Sequence, residues 1–138
     1  TDINYALLLQ LAPTLPDLKE DGYLKSATTQ HPTLCLTVAN DDEKTLTLFL
    51  SQIEIIGDRK RTNPDMTLSV FKNTKTVEAI AYKDDLGYLG ISKGNGSRIM
   101  PVRNKLNNFL NKWLTQCLEQ GHLLKPFRSS VSSLSFIP

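Results

Sequence analysis

Cysteine is scarce in this chain, and long apolar runs are missing. Only Cys35 and Cys117 occur, far apart and both inside apolar patterns. That is unlike the closely spaced even sets of small secreted domains, so reduced thiols and a cytoplasmic setting are expected. No apolar run approaches the roughly 20 residues that span a bilayer, and Leu7–Leu11 lacks the flanks of a signal peptide. No Gly-x-Ser-x-Gly elbow appears, and the two histidines have no evident catalytic partner. These absences lean the reading away from an enzyme, with no cofactor, no catalytic residue and no metal ligand assigned.

Acidic residues are missing from Leu86 to Leu118, where Lys93, Arg98, Arg103, Lys105 and Lys112 fall. The asymmetry extends along the chain. Residues 1–57 carry eight acids against three lysines, a net of −5, while residues 58–138 carry thirteen bases against six acids, a net of +7. A polarised chain is a hint of an anionic partner, unless folding interleaves the halves.

With 138 residues, 40% of them hydrophobic, the chain suits one domain with its own core and needs no disulfide or metal staple. Thr1-Asp2 is placed to cap a helix bearing Ile3, Leu7, Leu8 and Leu11, which Pro13 ends. The period then changes to two: Leu34, Leu36 and Val38 alternate in Thr33–Ala39, as do Leu46, Leu48 and Leu50 in Thr45–Ile56. Beyond Ser51 the phase breaks, which a bulge would explain. Residues Gly57–Pro64 read as a charged loop. Met66–Lys72 and Thr76–Lys83 read as a hairpin across Asn73-Thr74-Lys75, and Tyr88–Ser92 with Arg98–Met100 as another across Gly94-Asn95-Gly96.

From about Val102 to Gln120, Leu106, Phe109, Leu110, Trp113, Leu114, Cys117 and Leu118 recur at helical steps, with Pro101 in the first turn and Gly121 as the stop. The expected fold is α+β: an antiparallel sheet of about five strands, the long C-terminal helix across one face and a short N-terminal helix beside it. Residues 123–138 read as an extended tail, with Phe127, Val131, Leu134, Phe136 and Ile137, docked on a sheet edge or on a neighbouring chain.

Several stretches carry a likeness. Asn107, Phe109, Leu110, Trp113, Leu114, Cys117, Leu118 and Gly121 follow an N-x-F-L-x-x-W-L-x-x-C-L-x-x-G pattern. Pro64, Met66 and Thr67 open a strand in a P-x-M-T pattern, with Ala79 downstream, and Asn4-Tyr5 precedes Leu8, Leu11 and Pro13. In these features the chain resembles the YqiB-like bacterial proteins, a family of unknown function. The resemblance covers most of the chain and implies a compact bacterial cytosolic domain without a known activity. The family tends to carry an acidic pair near the start of the last helix, where this chain has Pro101-Val102-Arg103, so no role of that pair transfers.

Each candidate chemistry has a plainer counterpart. His31, Cys35, Cys117 and His122 are zinc-competent residue types, but a cysteine on the apolar stripe of a helix ordinarily acts as a small hydrophobe. Asp65, Glu78 and Lys83 loosely follow the order of a metal-dependent nuclease, yet Ile80 stands where the lysine belongs, and Asp65 suits a turn. Lys93-Gly94-Asn95-Gly96-Ser97-Arg98, just before the long helix, is the best phosphate loop, although a hairpin has the same spacing. Arg59 and Arg61 join Lys93, Arg98, Arg103 and Lys105 as candidate anion contacts, with Tyr82 and Tyr88 as aromatic companions.

Three functions follow in order: a non-catalytic interaction or adaptor domain with a protein partner or a second copy docked through the tail; a nucleic-acid or phosphorylated-ligand binder using the basic 93–112 region; and a metal-dependent hydrolase. No membrane partner is expected.

Overall fold

The computed structural model describes residues 2–91 and 99–126. Helix α1 (Ile3–Leu11) and a 3-10 turn (Leu15–Asp17) lead into six strands: β1 (Tyr23–Ser26), β2 (Thr33–Asp41), β3 (Thr45–Ile56), β4 (Arg59–Phe71), β5 (Thr76–Asp84) and β6 (Gly87–Gly90). Helix α2 (Ile99–Glu119) and strand β7 (Lys125–Pro126) follow. The strands form one antiparallel sheet in the order β6-β5-β4-β3-β2-β1-β7. Six consecutive strands are thus a meander, and α2 carries the chain from the β6 edge back to the β1 edge.

The length of α2 suits that task. Its 21 residues span about 31 Å, and six inter-strand gaps span roughly 29 Å. Its apolar stripe (Leu106, Leu110, Trp113, Leu114, Cys117) packs with Tyr5, Leu8 and Leu11 of α1 on Leu36, Leu48, Leu68 and Ala79 of the central strands. Both helices lie on this one face of the sheet. Asp2 caps α1 through Oδ1, which accepts from Tyr5 N at 2.7 Å. The far end of α2 closes with Gly121 at φ +84°, His122 N donating to Cys117 O and Gly121 N to Leu118 O, the paired bonds of a Schellman ending.

Three expectations need correction, while the bulge expected beyond Ser51 is present. Seven described strands replace about five, because β1 and β7 have only four and two residues and are too short for a period to declare itself. The stretch 57–64 is no loop: Gly57 and Asp58 turn a hairpin, and the strand starts at Arg59, pairing Ile56 with Arg59, Ile55 with Lys60 and Glu54 with Arg61. The phase break after Ser51 is a register shift between Ser51 and Ile53. It sets Pro64, which has no N–H to give a ladder, at the irregularity. The strand Gly87–Gly90 pairs with β5, while Ile99 and Met100 begin α2. The turn at Gly94 lies outside the described residues.

The exposed edge of β5 is capped by side chains. Strand β6 pairs only with Ala81–Asp84, so Val77 and Ala79 turn their N–H groups outward from the sheet. Asp2 Oδ2 accepts from Val77 N at 3.3 Å, and Asn107 Oδ1 from Ala79 N at 2.9 Å. Satisfying those donors with side chains blocks the edge as a template for another strand.

Candidate binding cleft

The basic residues singled out in the sequence do not gather among the described residues. Arg59 and Arg61 stand on the protruding β3–β4 hairpin, where Arg61 Nη1 lies 3.0 Å from Asp85 and Nη2 3.7 Å from Glu54. Arg103 ion-pairs with Glu78 of β5, and Lys105 is exposed on α2. Glu78 sits opposite Ser69, eight residues along β4 from Arg61, or about 26 Å. Lys93 and Arg98 lie outside the described residues. The described members therefore fall at opposite ends of the sheet.

Other expected groupings come apart in the same way. Asp65 stands in strand β4 and not in a turn, opposite Lys83, while Glu78 is opposite Ser69, about 13 Å further along. Burial pushes the Asp65 carboxyl up, and the Lys83 ammonium partly offsets this. Cys35 lies on the face of the sheet away from the helices; Cys117 is on the buried stripe of α2, where burial pushes its thiol up to about 12. Such a thiol stays protonated and unreactive near neutrality. Among the described residues no group of three or more His, Cys, Asp or Glu is placed to hold a metal.

The structure brings together a different set on the uncovered face. The loop after β1 and the projecting β3–β4 hairpin flank a cleft of about 710 Å³, lined among others by Tyr23, Lys25, His31, Cys35, Ile53 and Lys60. Register explains the convergence. Lys25 pairs with Cys35, and Cys35 with Ser51; Ile55, one pleat beyond Ile53, pairs with Lys60. All of these therefore project to the same side. Lys125 of β7, opposite Lys25, extends the cationic edge. Thr28 Oγ1 accepts from His31 N at 3.1 Å, which closes the loop that brings the imidazole over. Glu54 is the acid on the lining, and Arg61 is its ion-pair partner. Tyr23 Oη donates to Cys35 Sγ at 3.3 Å. That bond, with burial, pushes the phenol up to about 12, so Tyr23 is neutral and adds no negative charge.

Beneath the cleft the sheet is tied to the helices by buried polar pairs that sequence spacing did not reveal. Ser26 Oγ lies 2.8 Å from His122 Nδ1 and accepts from Leu123 N at 2.9 Å. Trp113 Nε1 donates to Gln52 Oε1 at 2.8 Å. Partners 96 and 61 residues apart leave no local signal. Leu124 N donates to Leu11 O, so the first part of the tail docks on this chain's own core and β1 edge. The rest of the tail lies outside the described residues.

A family model described as a protein of unknown function, DUF1249, matches residues 7–123. The chain belongs to the DUF1249 family. The DUF1249 match takes in strands β1 to β6 and α2, and so all the cleft residues named above except Lys125. No curated protein and no solved structure matches the chain. Among the described residues no helix is long and apolar enough to cross a membrane.

Proposed function

We propose that the chain is a binding module for a phosphorylated ligand, held in the cleft between the loop after β1 and the β3–β4 hairpin. One observation carries this: Lys25, His31 and Lys60, from three separate segments, line a single concavity. Ammonium groups are strong donors to phosphate oxygens, and His31 adds a ring N–H. The reading keeps the anionic partner that the charge asymmetry suggested and moves its site from the 93–112 region to the sheet. The likeness to the YqiB-like proteins stays a resemblance and brings no activity with it.

Calorimetric titration with inorganic pyrophosphate at low and high salt tests the proposal. Expected is binding that weakens as salt rises and disappears in Lys25→Glu/Lys60→Glu. Heats that stay flat at low salt, or binding untouched by that double variant, would overturn it.

A second reading, the adaptor domain, draws support from the hairpin tip, where Ile55 and Ile56 are 74% and 50% exposed. Apolar side chains on a projecting ribbon suit a protein contact. Ile55→Ser/Ile56→Ser abolishing co-purification of a partner that the wild-type chain retains would favour it. Tail-mediated pairing with a second copy rests on residues beyond Pro126.

A further inference from the structure

The uncovered face continues from the cleft across the centre of the sheet, and its side chains are arranged in rows. Register sets Tyr23, Thr37, Phe49 and Thr67 in one row, and Lys125, Lys25, Cys35, Ser51, Asp65 and Lys83 in the next. Phe49 is 45% exposed, while Leu48 and Leu50 on either side of it are fully buried. Its row neighbours Thr37 and Thr67 are shorter, so the ring stands above a floor of hydroxyl-bearing side chains. Tyr23, two strands away, is about 10 Å off.

Charge on this face is positive beside the aromatics. Lys25 and Lys125 pair at the β1–β7 edge, and Lys60 of β4 faces Lys25 across the cleft that both line. Of the acids that share the face, Asp65 stands opposite Lys83 and Glu78 is paired with Arg103. An exposed ring in mid-sheet, with the lysine-lined cleft beginning one row further along, complements a ligand with both a flat apolar face and repeated negative charge.

We infer that this face binds single-stranded nucleic acid, a base stacking on Phe49 while backbone phosphates run toward Lys25 and Lys60. The inference rests on the phosphate reading of the cleft and names its ligand class. Unstacked bases have the free π-faces that a ring can meet, and a duplex does not, so the strand must be single. Sequence preference is expected to be weak, because stacking accepts any base.

Fluorescence anisotropy of a labelled 15-nucleotide oligothymidylate tests this, with the corresponding RNA and a duplex of the same length as competitors. Neutralising about three phosphates of a single strand makes log affinity fall against log salt with a slope of about −2. Phe49→Ala should weaken binding about tenfold or more, and Phe49→Trp should restore it. Phe49 is half exposed, so a cooperative urea transition within about 1 kcal/mol of wild type certifies the fold of either variant. The same protein is titrated with pyrophosphate. If pyrophosphate binds while the oligonucleotide does not, or Phe49→Ala binds it as well as wild type, the nucleic-acid inference is overturned and the cleft reading survives. Equal affinity for the duplex also overturns it. If neither probe binds, both readings fall.

Discussion

The two faces of the sheet are made from the same strands, one residue out of step, and they have opposite fates. Along β3, Leu46, Leu48 and Leu50 meet α1 and α2 and are buried, whereas Thr45, Thr47, Phe49 and Ser51 point the other way. On the helix side, burial of each leucine contributes about 1.5–3 kcal/mol, and the side chains interlock with two helices. On the far side, Thr and Ser keep β-propensity high while offering hydroxyls to solvent. Stability is therefore concentrated on one face, and the other is left available for binding.

The largest test of that contrast compares adjacent residues. Leu48→Ala should lower unfolding free energy by about 2–5 kcal/mol, since it opens a cavity among fully buried neighbours. Phe49→Ala should cost about 1 kcal/mol or less, the span of β-propensity at a half-exposed site. Urea denaturation measures both; equal losses would mean that the uncovered face is packed after all.

Next in size is the link between sheet and helix. Gln52→Ala removes the acceptor of the buried Trp113 Nε1–H and should cost about 1–3 kcal/mol. Gln52→Leu combined with Trp113→Phe should recover part of the loss, because neither apolar group is then left seeking a partner. A double variant as unstable as the sum of the singles would show that the bond itself is not what matters.

The smallest effect is a slope. His122 is held below the usual histidine range, first by burial and then by the nearby His31. The unfolded chain therefore binds a proton more readily than the folded one. The stability this imidazole contributes is present in full above about pH 6.5 and is lost as pH falls through its lowered folded value. Urea midpoints at pH 7.5 and pH 5 should differ less in His122→Asn, which keeps a polar amide near Ser26 and cannot titrate. An identical acid loss in the variant would assign the slope to other groups.

Much of the fold was legible because it is locally periodic. The apolar stripe of α2, the alternation in β2 and β3, the hairpin across Asn73-Thr74-Lys75 and the bulge after Ser51 all leave marks within a dozen residues. The stretch Arg59–Pro64 misled for a physical reason. Local charge and a proline suggested a loop, yet a ribbon projecting into solvent needs no apolar side, and its strand character comes from pairing with Ile53–Ile56. Tyr82, taken as an aromatic companion for basic residues, packs edge-on against Phe109 at 4.7 Å instead, while Phe49 stands in the open.

The cleft was illegible for a related reason. The basic 93–112 run was conspicuous because it is contiguous, whereas Lys25 and Lys60 are unremarkable singly and separated by 35 positions. By itself the sequence determined the helices, the strand period and which residues on each strand are apolar, since these follow from spacing between near neighbours. Only the tertiary structure decided that Trp113 meets Gln52 between helix and sheet, and that β1 and the β3–β4 hairpin lean over the same cleft. Those outcomes depend on register between distant strands, and register is settled by burying one face of every strand at once.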